Sequence, residues 1–305
     1  MIQSRANLVR ASTPPLLQAT VAWENSALQE ASVIYDEGTW KLWYNGGWAT
    51  PGIGYATCSG DPTVPGNWTK YASNPVCGQG GSGISGAAER TNMVKVGSTY
   101  NLFYSDGTNL KLATSSDGIS FNTPIQMLAG NAVGWANQWH NSTVWQAGTS
   151  DWRMLVEGHN VAPPPAWQIS YATATAISGP WTVQGSGPLT SLANPLWPFG
   201  YSHPNYLGFF NGLHHIIYHV DAGNYSAIYL ATSTDLTTWT QSANPVMQAN
   251  FGTYEAQQCA DPWVVEQSGK TFLFYDGVNN TTSTSYINAA TYPGTISEMF
   301  QNLMV

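Results

Sequence analysis

Acidic and basic side chains recur at matching places in this chain: Glu30, Glu89 with Arg90, His140, His203 and Asp261. Each stands at the entrance of a short run with strand character, at 31–35, 91–95, 142–145, 204–208 and 262–266. The chain has only 17 acidic residues in all, yet three of these five places carry one and the other two carry His. Carboxyl groups crowded into one cavity repel each other's charge, and at least one pKa rises. A carboxyl that keeps its proton can donate, and an ionised one can accept. That is general acid–base chemistry, with Arg and His to orient and tune it. Glu157, at the end of a further run in Val156-Glu157-Gly158-His159, is an alternative acid or a ligand contact. Glu24 and Glu255 lie on segments entering the first and fifth places. Asp106 and Asp276 read as turn residues, and His214, His215 and His219 as packed strand residues.

For residues so far apart in sequence to meet, the elements carrying them must repeat around a common centre. The dipeptide Ala-Thr marks such a repeat. Its threonines are Thr57, Thr114, Thr173, Thr232 and Thr291, at steps of 57, 59, 59 and 59 residues. Each unit reads alike: a short strand, a turn with Gly, and an aromatic, near-continuous apolar strand at 40–44, 100–104, 152–156, 215–218 or 272–275. The Ala-Thr strand is third, and a fourth begins at Trp68, Phe121, Trp181 or Trp239. Continuous apolar runs of this length suit strands covered on both faces. Regular short strands separated by Gly, Asn, Asp and Pro indicate all-β structure. Four strands in each of five units predict a five-bladed β-propeller, with boundaries near 24–78, 79–130, 131–192, 193–249 and 250–305. The fifth unit stops early, and the segment 16–23 is expected to supply its missing strand and close the ring.

The 305 residues are 43% hydrophobic, enough for one large core. Nine Lys plus Arg face 17 Asp plus Glu, for a net charge of −8. Phosphate backbones demand a basic surface, so nucleic acid is not an expected partner. No apolar stretch approaches the roughly 20 residues of a membrane helix, so no membrane partner is expected. The first residues, Met1 to Arg5, lack a signal-peptide core. A neutral surface of Asn, Thr, Ser, Gln and Gly favours an extracellular or virion-associated setting. Three cysteines make no disulfide framework: Cys58 and Cys77 either pair or stay free, and Cys259 is left over. No phosphate loop, nucleotide fingerprint or zinc motif is present, so neither cofactor nor metal is expected.

Paired carboxyls in a neutral polar chain point to one reaction above others. Hydrolysis of a glycosidic bond needs two carboxyl groups flanking it, one protonated and one ionised. The chain also holds 14 Trp and 16 Tyr, whose rings can stack on sugar faces. Candidates are Trp48, Trp135, Trp139, Trp167, Trp197 and Tyr254. The substrate-binding set expected from sequence is Arg90, Trp139, His140, Glu157, His203 and Trp48.

From about residue 24 to 294 the chain resembles the five-bladed propeller glycosidases of glycoside hydrolase families 43, 62, 32 and 68. The likeness is a repeat pattern. Its best segments are 30–44 and 260–276, similar to the families' opening strand pair, and 88–105, similar to the segment that carries their acid glutamate. The resemblance implies an Asp base, a carboxylate that tunes pKa, and a Glu acid from successive blades. Here these would be Asp261, Glu30 and Glu89. The family order is then rotated by one blade. Without rotation, the first unit offers Glu30 in place of Asp, and the third His140 in place of Glu. The resulting expectation is a glycoside hydrolase acting on a neutral oligo- or polysaccharide. The alternative is a propeller that binds glycans without cleaving them, as a phage or cell-surface adhesin.

Overall fold

The computed structural model describes residues 7–11, 15–47, 51–78, 81, 84, 86–160, 166–250, 254–279 and 281–304. The chain is built almost wholly from strands, with one α-helix near the end of the described residues. Antiparallel pairing forms five successive runs. The first comprises Leu28–Asp36, Thr39–Gly46, Gly52–Cys58 and Trp68–Lys70. The second comprises Glu89–Val96, Thr99–Ser105, Leu110–Ser115 and Ile125–Leu128. The third comprises Gln138–Gly148, Asp151–His159, Trp167–Ala174 and Thr182–Val183. The fourth comprises Gly200–Phe210, Leu213–Asp221, Ser226–Ser233 and Thr240–Gln241. The fifth comprises Gln258–Gln267, Lys270–Asn279 and Thr284–Tyr292. Single parallel pairings, Trp167 with Gly200 and Ser226 with Gln258, fuse the last three runs into one sheet.

The turn between first and second strands is tight. Glu37-Gly38, Asn211-Gly212 and Ser268-Gly269 each place two consecutive residues at positive φ, as a type I′ hairpin turn requires.

The second strands have apolar centres because successive side chains point to opposite faces, and both faces are covered there. Leu42 and Trp43 enter different apolar clusters, as do Leu102 and Phe103, Met154 and Leu155, Ile216 and Ile217, and Leu273 and Phe274. Each cluster is shared by neighbouring units. The one containing Leu42 also contains Phe274, so the fifth unit packs on the first.

The Ala-Thr mark has a packing cause. Ala56, Ala113, Ala172, Ala231 and Ala290 are buried and pair with Leu42, Leu102, Met154, Ile216 and Leu273, all buried too. The following threonines are half-buried on the other face. A small residue opposite a large one lets adjacent units approach.

The closing strand lies earlier than the sequence suggests. Val9–Arg10, not 16–23, forms the strand beside Thr284–Tyr292, pairing with Thr291 and Ala290. Leu17 adds only an isolated bridge to Ile287. Arg10 is tied to Glu255 and to the Gln248 carbonyl, which pins this strand to the loop before the fifth unit. After Tyr292 the chain turns into the helix Ile296–Leu303. A capping box of Thr295 and Glu298 starts that helix, and it buries Met299 and Phe300. All three cysteines are free and buried, so Cys58 and Cys77 do not pair. Among the described residues, no helix is long and apolar enough to cross a membrane.

Candidate active site

The first strand of every unit is broken near its start by a register shift: between Gln29 and Ser32, Glu89 and Asn92, Trp139 and Ser142, Ser202 and Asn205, and Ala260 and Trp263. Such bulges re-aim side chains. In four units the bulged residue is a non-glycine at positive φ: Glu30 (57°), Arg90 (64°), His203 (50°) and Asp261 (50°). Each such backbone costs of order 1–3 kcal/mol and persists only where surroundings hold it. The bulge of the third unit holds His140 and Asn141 without positive φ.

The holding groups come from the preceding unit. Asp276 Oδ2 accepts the Glu30 N–H at 2.8 Å. Glu157 Oε2 accepts the His203 N–H at 3.1 Å and the Ser202 hydroxyl. His219 Nδ1 accepts the Asp261 N–H at 3.1 Å. That bond puts the His219 hydrogen on Nε2. The three acceptors occupy the same slot of their second strands, opposite Ile287, Ile169 and Ile228.

Around these bulges lies an open cavity of about 120 Å³. Its lining includes Glu30, Arg90, Trp167, His219, Asp221 and Asp261. Glu30 Oε1 is 2.7 Å from Arg90 Nη1, while its Oε2 is buried without a partner. Burial raises the Glu30 pKa; Arg90 opposes and Asp261 reinforces, leaving it at about 7. Arg90 also lies over the Trp167 ring, 5.2 Å from its centroid.

Asp261 has the opposite character. Burial works against its charge, but His203 and His219 outweigh burial and hold the carboxyl well below the usual range. Their Nδ1 atoms lie 3.1 and 3.3 Å from Asp261 Oδ1. Burial likewise disfavours a charged His203, yet the Asp261 charge raises its pKa. His219 goes the other way: burial lowers it.

Asp276, completely buried, hydrogen-bonds to the Asp261 carboxyl. Two carboxyls can bond only through a shared proton. Burial and the charge of Asp261 raise Asp276 far above the carboxylate range, so the proton rests on Asp276. In Glu157, burial is overcome by His140 and by Arg90, and the pKa falls to about 2.

The sequence-expected residues separate into groups. Glu30, Arg90 and Asp261 meet at the cavity. His140, His203 and Glu157 are buried close by: His140 Nδ1 is 3.3 Å from Glu157 Oε1, and His140 packs against His159 and Trp167. Glu89 stands one residue before its bulge and is outside the cavity lining; the bulged position belongs to Arg90. The Glu89 charge still reaches Glu30, Arg90 and His140. Trp139 is fully buried, with Nε1 donating to the Ala129 carbonyl at 2.7 Å, so its ring faces are closed to a sugar. Trp135 packs edge-on against it. Trp197 lines a separate groove with Tyr225, and Tyr254 packs on Tyr286. Trp48 lies outside the described residues.

Sequence reasoning passed over three members of the site. Asp276 is a strand residue, not a turn residue. Asp106 does cap a turn, accepting the N–H groups of Thr108 and Asn109. The distinguishing signal was available: Asp276 directly follows the aromatic strand, in the slot that Glu157 and His219 fill, whereas Asp106 comes one residue later. His219 was legible in the same way. Asp221 carried no comparable signal.

No family model matches the chain, and no curated protein does. Solved structures do. The α-L-arabinofuranosidase of Podospora anserina, solved with cellotriose, superposes with a TM-score of 0.70 at 11% identity, covering 94% of this chain and 97% of that one. The fold is a β-propeller. A family 62 α-L-arabinofuranosidase catalytic domain from Coprinopsis cinerea gives this propeller a TM-score of 0.68 at 13% identity, with coverage of 95% and 98%. A thermostable family 43 glycoside hydrolase gives 0.65 at 12%, with coverage of 86% and 88%. The likeness to propeller glycosidases of families 62 and 43 thus spans nearly the whole propeller.

Proposed function

We propose that the protein is a five-bladed propeller glycoside hydrolase that cleaves a neutral oligo- or polysaccharide at this cavity. The five antiparallel runs would be its blades, bounded near 24–78, 79–130, 131–192, 193–249 and 250–305. One observation carries the reading: carboxyls of opposite character share a cavity, Asp261 held ionised and Glu30 raised to about 7. Glycosidic hydrolysis uses such a divided pair. The structural neighbours are carbohydrate-processing enzymes, which supports a sugar substrate.

In this reading Asp261 is the accepting carboxylate. His203 and the protonated Asp276 keep it charged, and His219 Nδ1 holds its backbone N–H in place. Glu30 is the tuning carboxylate, with Arg90 on one oxygen and its backbone held by Asp276. Trp167, backed by the Arg90 guanidinium, offers an aromatic wall for a sugar ring. The resemblance to families 43 and 62 implies Glu89 as the acid, but a donor must reach the leaving oxygen, and Glu89 is not among the cavity-lining residues.

The test is sugar release from arabinose-, xylose-, fructose- and galactose-containing glycans, with binding measured alongside. The wild type is expected to release product. Asp261→Asn is expected to abolish release while still folding and binding. Glycan binding without release by the wild type would replace this reading with that of a non-catalytic glycan-binding propeller.

A further inference from the structure

We infer that Asp221 is the proton donor of the cavity, the side chain that hands its hydrogen to the departing sugar oxygen. This rests on the glycosidase reading above. Asp221 ends the second strand of the fourth unit and lines the cavity with Asp261. Its Oδ1 is buried and has no hydrogen-bond partner. The other carboxyls here each face a cationic or donor group, Glu30 facing Arg90, Asp261 facing His203, and Glu157 facing His140 and Ser202, although Glu30 Oε2 and Glu157 Oε1 are also unpartnered. Asp221 forms no ion pair among the described residues. Alone among the cavity's acids, it has an oxygen with nothing to satisfy it and no cation to favour its charge.

The charged groups around it push the same way, and a weaker hydrogen bond from the Ala222 backbone works against them. Asp261 and Glu157 are ionised neighbours; His219, on its own strand, is held neutral by burial; Arg90 is engaged by Glu30. Burial, then the charges of Asp261 and Glu157, raise the Asp221 pKa to about 7. The carboxylic acid therefore persists near neutrality. Its half-buried side chain lets the O–H reach a ligand oxygen.

The step balances. The anomeric C–O bond breaks, its electron pair stays on the leaving oxygen, and that oxygen takes the Asp221 proton. Water bonds to the anomeric carbon, and its proton passes to the Asp261 carboxylate. Exchange with solvent restores both groups.

Leaving-group dependence tests the inference. A polysaccharide's sugar oxygen must be protonated to leave, whereas 4-nitrophenolate leaves without help. Asp221→Asn is expected to lose about 10²–10⁴-fold in kcat/KM on the polysaccharide. It should lose little on the 4-nitrophenyl glycoside of the same sugar, and the alkaline limb of the pH profile should vanish. A cooperative melting transition no lower than that of the wild type would confirm folding. Equal losses on both substrates, no loss on either, or a persisting alkaline limb would overturn the assignment. So would the same dependence appearing in Glu89→Gln instead. A wild type silent on every substrate would instead refute the glycosidase reading beneath it.

Discussion

Glu30 and Asp36 belong to one strand, Leu28–Asp36, and their surroundings could hardly differ more. Asp36 is saturated. Lys95 Nζ donates to its Oδ1 at 2.6 Å, and Lys41 Nζ and the Tyr100 hydroxyl donate to its Oδ2, each at 2.6 Å. Burial opposes its charge, but these donors together outweigh it and hold its pKa far below the usual range. Lys95 and Tyr100 come from the second unit, so the cluster staples two units together. Glu30 has one cation, one orphaned oxygen and a strained backbone, and its neighbours include further acids. Matched donors turn a carboxylate into a structural pin. Unmatched oxygens facing a cavity leave proton affinity and hydrogen-bonding capacity for a ligand.

The sharpest way to break this contrast is to neutralise one acid from each region. Asp261→Asn should reduce turnover by about 10³-fold or more while melting stays near wild type, because it removes the accepting carboxylate. Asp36→Asn should do the reverse, with full turnover and a lower melting temperature. Asp36→Asn losing activity without losing stability would erase the distinction.

A finer cut concerns Asp276. As a neutral acid it accepts the Glu30 N–H and donates to Asp261. Asn can make both bonds and Ala neither. Asp276→Ala should therefore misplace Glu30 and Asp261 and cost up to about 100-fold in kcat, with Asp276→Asn near wild type. Equal losses in both variants would mean that Asp276 exchanges its proton during turnover.

The smallest effect is in stability against pH. Glu30 and Asp221 have folded pKa values of about 7, raised from an unfolded value of about 4. The folded state thus holds protons that the unfolded chain has shed. Their contribution is complete below about pH 4 and is lost as pH rises through 7. Asp36 is depressed, so its contribution is present above about pH 4 and is lost as pH falls further. Glu30→Gln and Asp221→Asn should each raise the melting temperature at pH 8 and hardly move it at pH 4. Asp36→Asn should lower it at pH 8 and converge with wild type in acid. Melting curves across pH check all three.

Legibility in the sequence followed physical range. The strand content and the place of Glu30 and Asp261 at the head of inner strands depend on period-two alternation and on turns, which are local. The Ala-Thr mark was visible because every interface needs a small residue opposite Leu42 and its equivalents. Glu89 was favoured over Arg90 because a bulge displaces the pattern by one residue, and alternation alone does not locate a bulge. Trp139 is expected to be a sugar platform only until its burial is seen.

By itself, then, the sequence determined the repeat, the strand order and the acids at the inner ends, since each follows from neighbours along the chain. The tertiary structure decided which of those acids keep their protons. That depends on second-strand residues reaching the bulge of the next unit, as Asp276 reaches Glu30 across the packed fifth and first units. Burial and long-range partners set a carboxyl's charge, and neither exists until the units pack.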